Sequence, residues 1–168
     1  MMTDFFPPFL VYVIGALILP LLPKGAPRGV LTLLVPLIGA MLIWELPIGS
    51  YGQFNLAGWE LTLLRVDKLA VIFGLVFSLA AFLAMIYAWH VRDWVQQTAA
   101  LIYAGSAIGA VFSGDFISLF IFWEGTAIAS VFLIWARKTE GAYHTGMRYL
   151  VIQIASGVIQ IGRASCRE

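Results

Sequence analysis

Phe116-Ile117-Ser118-Leu119-Phe120-Ile121-Phe122-Trp123-Glu124-Gly125-Thr126-Ala127-Ile128-Ala129-Ser130-Val131-Phe132-Leu133-Ile134-Trp135-Ala136 is an apolar run interrupted by one charge, Glu124. A helix rises about 1.5 Å per residue, so roughly 20 residues cross a hydrocarbon layer about 30 Å thick. This run is long enough to do so. Similar runs lie at about 8–22, 30–46, 68–89, 95–113 and 143–160. The pattern therefore predicts an all-α integral membrane chain of about six transmembrane helices. The whole sequence, 168 residues, is 61% hydrophobic and 11% charged, a balance that excludes an ordinary soluble domain.

Short polar or Gly/Pro-containing links separate the runs. Pro20, Pro23 and Pro36 lie within or beside the first two spans, where neighbouring groups can satisfy the carbonyls a proline frees. Residues 47–67 hold Gly49, Gly52 and Gly58, with apolar alternation through Phe54 and Leu56 and again through Trp59, Leu61 and Leu63. That reads as a short outer hairpin between helices two and three.

The formal net charge of +1 gives no reason to expect nucleic acid as a partner, so the placement of charge is more informative than its sum. Lys24, Arg28, Arg92, Arg137, Lys138 and Arg148 fall in alternate links, against Arg65 and Lys68 in the others. The positive-inside rule then sets the N-terminus outside, as expected of a multi-pass protein of a bacterial inner membrane. The opening Met1-Met2-Thr3-Asp4 lacks a basic n-region, which predicts a retained helix rather than a cleaved signal peptide. Cys166 is the sole cysteine, so no disulfide framework is expected. His90, Trp94 and Trp135 lie near span ends and read as interfacial anchors.

Ile161-Gly162-Arg163-Ala164-Ser165-Cys166-Arg167-Glu168 places charge in the middle of an apolar helix. The octapeptide looks like a translated sequencing adapter. We expect residues 161–168 to be non-native read-through and residues 1–159 to be the native membrane portion.

Glu124 is the acid set deepest in a span, roughly 12 Å from the outer end at eight residues of helical rise. An ionisable group at that depth costs on the order of 2.5–3.5 kcal/mol on insertion scales and normally faces protein or water. Desolvation disfavours its charged form and a nearby cation favours it. A carboxyl held between those pulls can take up and release protons; a structural glutamate bonded to a neighbouring helix is the competing explanation. Thr126 and Ser130 on helix five, with Tyr149, Gln153 and Ser156 on helix six, form a polar stripe at helical spacing. Such a stripe serves either a water file or interhelical hydrogen bonding. Arg148, near the start of helix six, is a candidate charge partner for an acid. Within helix four, Gly105 with Gly109 and Ser106 with Ala110 are small-x-x-x-small pairs that predict close packing. Asp115 reads as the N-cap of helix five. No metal-ligand cluster, phosphate loop or nucleophile triad is present, so neither a metal nor a cofactor is expected.

The stretch Phe112-Ser113-Gly114-Asp115-Phe116-Ile117-Ser118-Leu119-Phe120-Ile121-Phe122-Trp123-Glu124 resembles the proton-conducting antiporter-like family, which comprises the A-type and D-type members of Mrp-type monovalent cation/proton antiporters and the large membrane-arm subunits of complex I. Met147-Arg148-Tyr149-Leu150 and Gln153-Ile154-Ala155-Ser156-Gly157 look like that family's sixth helix. The resemblance covers roughly residues 60–159. It implies that Glu124 is the fifth-helix glutamate that works with a lysine on a seventh helix, which this sequence lacks together with the second inverted repeat. It further implies a non-covalent proton relay within a multisubunit Na+/proton antiporter, with protons, a monovalent cation, other membrane subunits and lipid as partners. The chain is thus expected to be an N-terminal fragment, inactive alone and a transporter component rather than an enzyme. Glu60-Leu61-Thr62-Leu63-Leu64-Arg65-Val66-Asp67 and Phe132-Leu133-Ile134-Trp135-Ala136-Arg137 look closer to the D-type Mrp proteins. The alternative is a non-redox, proton-pumping subunit of an NADH-quinone oxidoreductase or related respiratory complex. A purely structural membrane scaffold is the reading from a different class.

Overall fold

A computed structural model describes residues 6–56, 59–91 and 93–165, with backbone alone at 54, 56, 59, 60, 160, 161 and 163–165. Helix α1 spans Pro8–Ile18 and tightens into a 3-10 turn at Leu19–Leu21. Helix α2 spans Ala26–Glu45 and is followed by strands β1, Gly49–Leu56, and β2, Trp59–Val66. Helix α3 spans Lys68–Tyr87 with a 3-10 extension at Ala88–His90, then come α4 at Trp94–Phe112, α5 at Phe116–Trp135 and α6 at Glu140–Ser165.

Helix α2 begins four residues before the expected position 30, and local chemistry explains why. Gly25 takes φ 128°, a conformation that costs glycine little. Pro27 follows in the first turn, where its missing N–H has no intrahelical partner to lose. Pro36 lies inside α2, at a depth where a kink is tolerable. Three later helices start on an aspartate: Asp67 accepts from Ala70 N–H at 2.7 Å, Asp93 from Val95 N–H at 3.1 Å and Asp115 from Ser118 N–H at 2.8 Å.

Four helices are long and apolar enough to cross a membrane: Ala26–Glu45, Lys68–His90, Trp94–Phe112 and Phe116–Trp135. The Pro8–Leu21 segment is a shorter apolar helix. Helix α6 has 26 residues but carries Glu140, His144, Arg148 and Gln153 along its length. It also continues as helix into 161–165. The surface pattern suits a lipid solvent, since Leu17, Met41, Ile121 and Val151 are exposed while Ser78 and Thr32 are buried.

Helix α1 packs against α2 and α4, α2 against α3, α4 against α3 and α5, and α6 against α5. Tyr12 is the hub, with 0% exposure. Its ring lies where a side chain on Gly39 would be and its Cβ where one on Gly105 would be, and its hydroxyl donates to Ser78 Oγ at 3.0 Å. A buried phenol needs that partner, because an unpaired hydroxyl away from water is costly. Leu19, Ile43, Leu101, Ile108 and Phe112 complete the core around it.

The small residues of α4 serve two neighbours rather than one. Gly105 admits Tyr12 of α1, Gly109 admits the Phe122 ring of α5, and Ser106 Oγ lies 2.7 Å from where a Cβ on Gly125 would sit. The strands pair antiparallel, from Gly49 opposite Val66 to Leu56 opposite Trp59, and residues 57–58 between them lie outside the described residues. Leu64 and Val66 are buried, which fixes the face of β2 that meets the bundle. Gly114 N–H donates to Thr62 O at 3.0 Å, and Thr62 N–H donates to Asp115 Oδ2 at 2.8 Å.

Candidate functional site between helices five and six

Glu124 lies in the ninth position of α5, on the side that faces α6. A Cβ placed on Gly157 of α6 would run into Glu124 Oε1 and would come 3.1 Å from Phe120 Cε2. The absence of a side chain at Gly157 therefore makes the space that the carboxyl occupies. Glu124 Oε1 is buried and has no hydrogen-bond partner among the described residues. The neighbouring Gly125 points the other way, toward Ser106 on α4, so α5 carries its acid on one face and its close helix contact on another.

An acceptor oxygen that is buried and unpartnered is an uncommon arrangement, since most buried polar atoms find a partner. Three occupants relieve it: a proton that turns the carboxylate into an acid, a water, or a donor from another polypeptide.

The polar stripe is only partly assembled. Ser130 Oγ donates to Ala127 O at 2.7 Å and accepts from the Tyr149 hydroxyl at 3.1 Å, which ties α5 to α6 a little under two helical turns from Glu124. Thr126 Oγ1 donates back to Trp123 O at 2.6 Å within its own helix. Gln153 is half-buried, and Ser156 and Arg148 are exposed. The one ion pair among the described residues is Lys138 with Asp93, at 3.0 Å, so Arg148 does not serve as the charge partner of Glu124 within them. Trp135 stacks on Tyr143 with centroids 5.6 Å apart and donates from Nε1 to Tyr143 O at 3.3 Å, closing the other end of the α5–α6 seam.

At the N-terminal end of α5, Asp115 does more than cap the helix. Burial pushes its carboxyl up, but hydrogen bonds from the Ser118 N–H and hydroxyl and from the Thr62 and Ile117 N–H groups outweigh this and hold it below the usual carboxylate range. At the opposite end Asp93 is held low, first by its bond to Lys138. That pair links the start of α4 to the α5–α6 loop. Gly157 is the residue of this site that sequence reasoning does not single out. Its signals are a place one turn beyond Gln153 on the stripe-bearing helix and at the end of the Gln153–Gly157 stretch that carries the resemblance.

No family model and no curated protein matches this chain. Its fold does match a chain in the solved structure of the membrane-bound sulfane sulfur reductase (MBS), an archaeal respiratory membrane complex, with a TM-score of 0.70 and 21% identity over 86% of this chain and 32% of that one. This chain thus spans about a third of the length of that chain and shares its fold over the matched part, which here is a mostly helical bundle, four of its helices able to cross a membrane, with a small two-stranded sheet.

Proposed function

We propose that this chain is a membrane-arm subunit of a multisubunit ion-translocating complex, in which Glu124 is a buried protonatable relay group. The observation that carries the reading is the unpartnered Glu124 Oε1 held between α5 and α6 over Gly157. A buried acceptor without a donor is completed by a proton, a water or a donor from a neighbouring subunit. Its charge state then couples to charge elsewhere in the complex without any covalent step. Ser130 and Tyr149 bridge the same helix pair, Thr126, Gln153 and Ser156 are the further polar residues along it from which a water route is completed in the full complex, and Arg148 is left to meet an acid on a neighbouring polypeptide.

In this reading α1 and α6 also cross the membrane, for six spans in all, and the paired strands form an outer hairpin. Residues 1–159 are then the N-terminal membrane portion of a longer polypeptide that lies in a bacterial inner membrane with its N-terminus outside. Residues 161–168 are adapter read-through, which re-amplifying the locus from source DNA tests. The likeness of Glu60–Asp67 and Phe132–Arg137 to the D-type Mrp proteins supports a Na+/proton antiporter; the fold shared with a chain of a respiratory complex supports the respiratory alternative. The two separate in reconstituted vesicles of the full complex. Sodium-driven proton movement indicates the antiporter, and proton movement driven by quinone reduction indicates the respiratory complex. In either case Glu124→Gln abolishes proton movement while assembly is retained. Unchanged flux in an assembled Glu124→Gln complex rejects the relay and leaves the scaffold reading.

A further inference from the structure

A second buried polar site lies at the opposite end of the bundle from Asp115, where α2 and α4 begin and α3 ends. Arg28 is 8% exposed. Its Nε donates to Leu22 O at 2.9 Å, while its Nη1 is buried without a hydrogen-bond partner among the described residues. Gln97, 9% exposed, donates from Nε2 to Val91 O at 2.8 Å and leaves its Oε1 buried and unpartnered among the same residues. Both side chains line one cavity of about 330 Å³, together with Gly25, Gly29, Trp89 and His90. Helix α2 starts at this cavity with no side-chain cap, so its first-turn N–H groups also lack intrahelical partners.

The site presents an unpaired cation, a helix N-terminus and a lone acceptor together. The first two favour an anion, and a guanidinium matches the oxygens of a phosphate. Gln97 Oε1 needs a donor. One bridging water would satisfy the acceptor but would leave the buried charge uncompensated, and the cavity is roughly ten times the ~30 Å³ that a water occupies in the liquid. We propose that this cavity binds a phosphate group that carries a hydroxyl donor, its anionic oxygens meeting Arg28 and the α2 N-terminus and its hydroxyl donating to Gln97 Oε1. Two sources share that chemistry: a lipid phosphodiester with a hydroxylated headgroup, and free hydrogen phosphate. The cavity opens at the bundle end that holds Lys24 and Lys138, where anionic headgroups gather.

Native mass spectrometry of the full chain released from nanodiscs distinguishes the sources. Phosphatidylglycerol nanodiscs are expected to leave one lipid bound, phosphatidylcholine nanodiscs none, and Arg28→Gln is expected to lower the phosphatidylglycerol occupancy at least tenfold. If free phosphate is the ligand, neither lipid is retained, and ³¹P line broadening of added inorganic phosphate reports binding that Arg28→Gln removes. Gln97→Leu, which keeps the charge, is expected to weaken whichever ligand binds by several-fold. Should Arg28→Gln fail to fold, Arg28→Lys and the wild-type measurements decide: the lysine loses the fork and is expected to bind at least fivefold more weakly. Wild-type protein that retains no phosphatidylglycerol and broadens no phosphate signal overturns the proposal, as does equal binding by the Arg28 and Gln97 variants.

Discussion

At the scale of single residues, the site depends on what is missing at Gly157. Adding one methyl there puts carbon into the volume held by Glu124 Oε1, and a packed seam absorbs such an addition only by shifting a side chain or a backbone. Gly157→Ala is therefore expected to lower proton flux at least tenfold in the assembled complex while α6 remains helical by circular dichroism; flux equal to wild type would mean that the carboxyl does not use this space. Asp115 offers a cleaner chemical test. Asparagine can still cap α5, but it places a donor where Thr62 N–H and the Ser118 hydroxyl now donate. Asp115→Asn is expected to lower stability by about 1 kcal/mol through the loss of a charged acceptor. The same carboxyl predicts a pH dependence. Its pKa is depressed in the fold, so the stability it contributes is present above the ordinary carboxylate value of about 4 and is lost as pH falls through the lower folded value. The Tm of the solubilised protein is expected to fall in that acid range, and Asp115→Asn is expected to flatten this part of the fall.

At the scale of elements, α4 and α5 are locked by complementary shapes. A Cβ on Gly109 would enter the Phe122 ring, so Gly109→Ala is expected to destabilise the pair by about 1–3 kcal/mol, and Phe122→Leu in the same chain is expected to recover part of that loss. Additive effects in a double-mutant cycle would show that the two residues do not touch in solution. This contact marks the boundary of what is legible in the sequence. The start of α5 at Phe116 and the capping by Asp115 follow from short-range chemistry, and both are as expected. The Gly105/Gly109 pattern predicts close packing but cannot say which helices use it, because a small residue carries no mark of its neighbour. The start of α2 escapes sequence reading for a local reason, since a Gly-Ala-Pro sequence reads as a break until the glycine's positive φ turns it into a helix entrance. Arg28 reads as one of the flanking inner charges; its cavity is shared with Trp89 and Gln97, which come from segments about 60 to 70 residues away. For the same reason Glu124 can be singled out from depth alone, while the part of Gly157 requires the geometry of two helices. Of the stripe residues, Ser130 and Tyr149 are the pair that meets among the described residues.

At the scale of the whole molecule, apolar side chains fill the core and also cover much of the helix exterior, a surface that suits lipid as its solvent. The two ends of the bundle differ. One is pinned by Asp115 and the small sheet, the other by the Asp93–Lys138 pair at 3.0 Å. Between them, α5 and α6 enclose a carboxyl oxygen that no described residue satisfies. Exchange of a proton at that oxygen is the central claim, and infrared difference spectroscopy of the full chain in a bilayer, recorded across a pH titration, tests it most directly. Such exchange predicts a protonated-carboxyl carbonyl band that changes with pH in the wild type and is missing in Glu124→Gln. Identical difference spectra from the two proteins would contradict it.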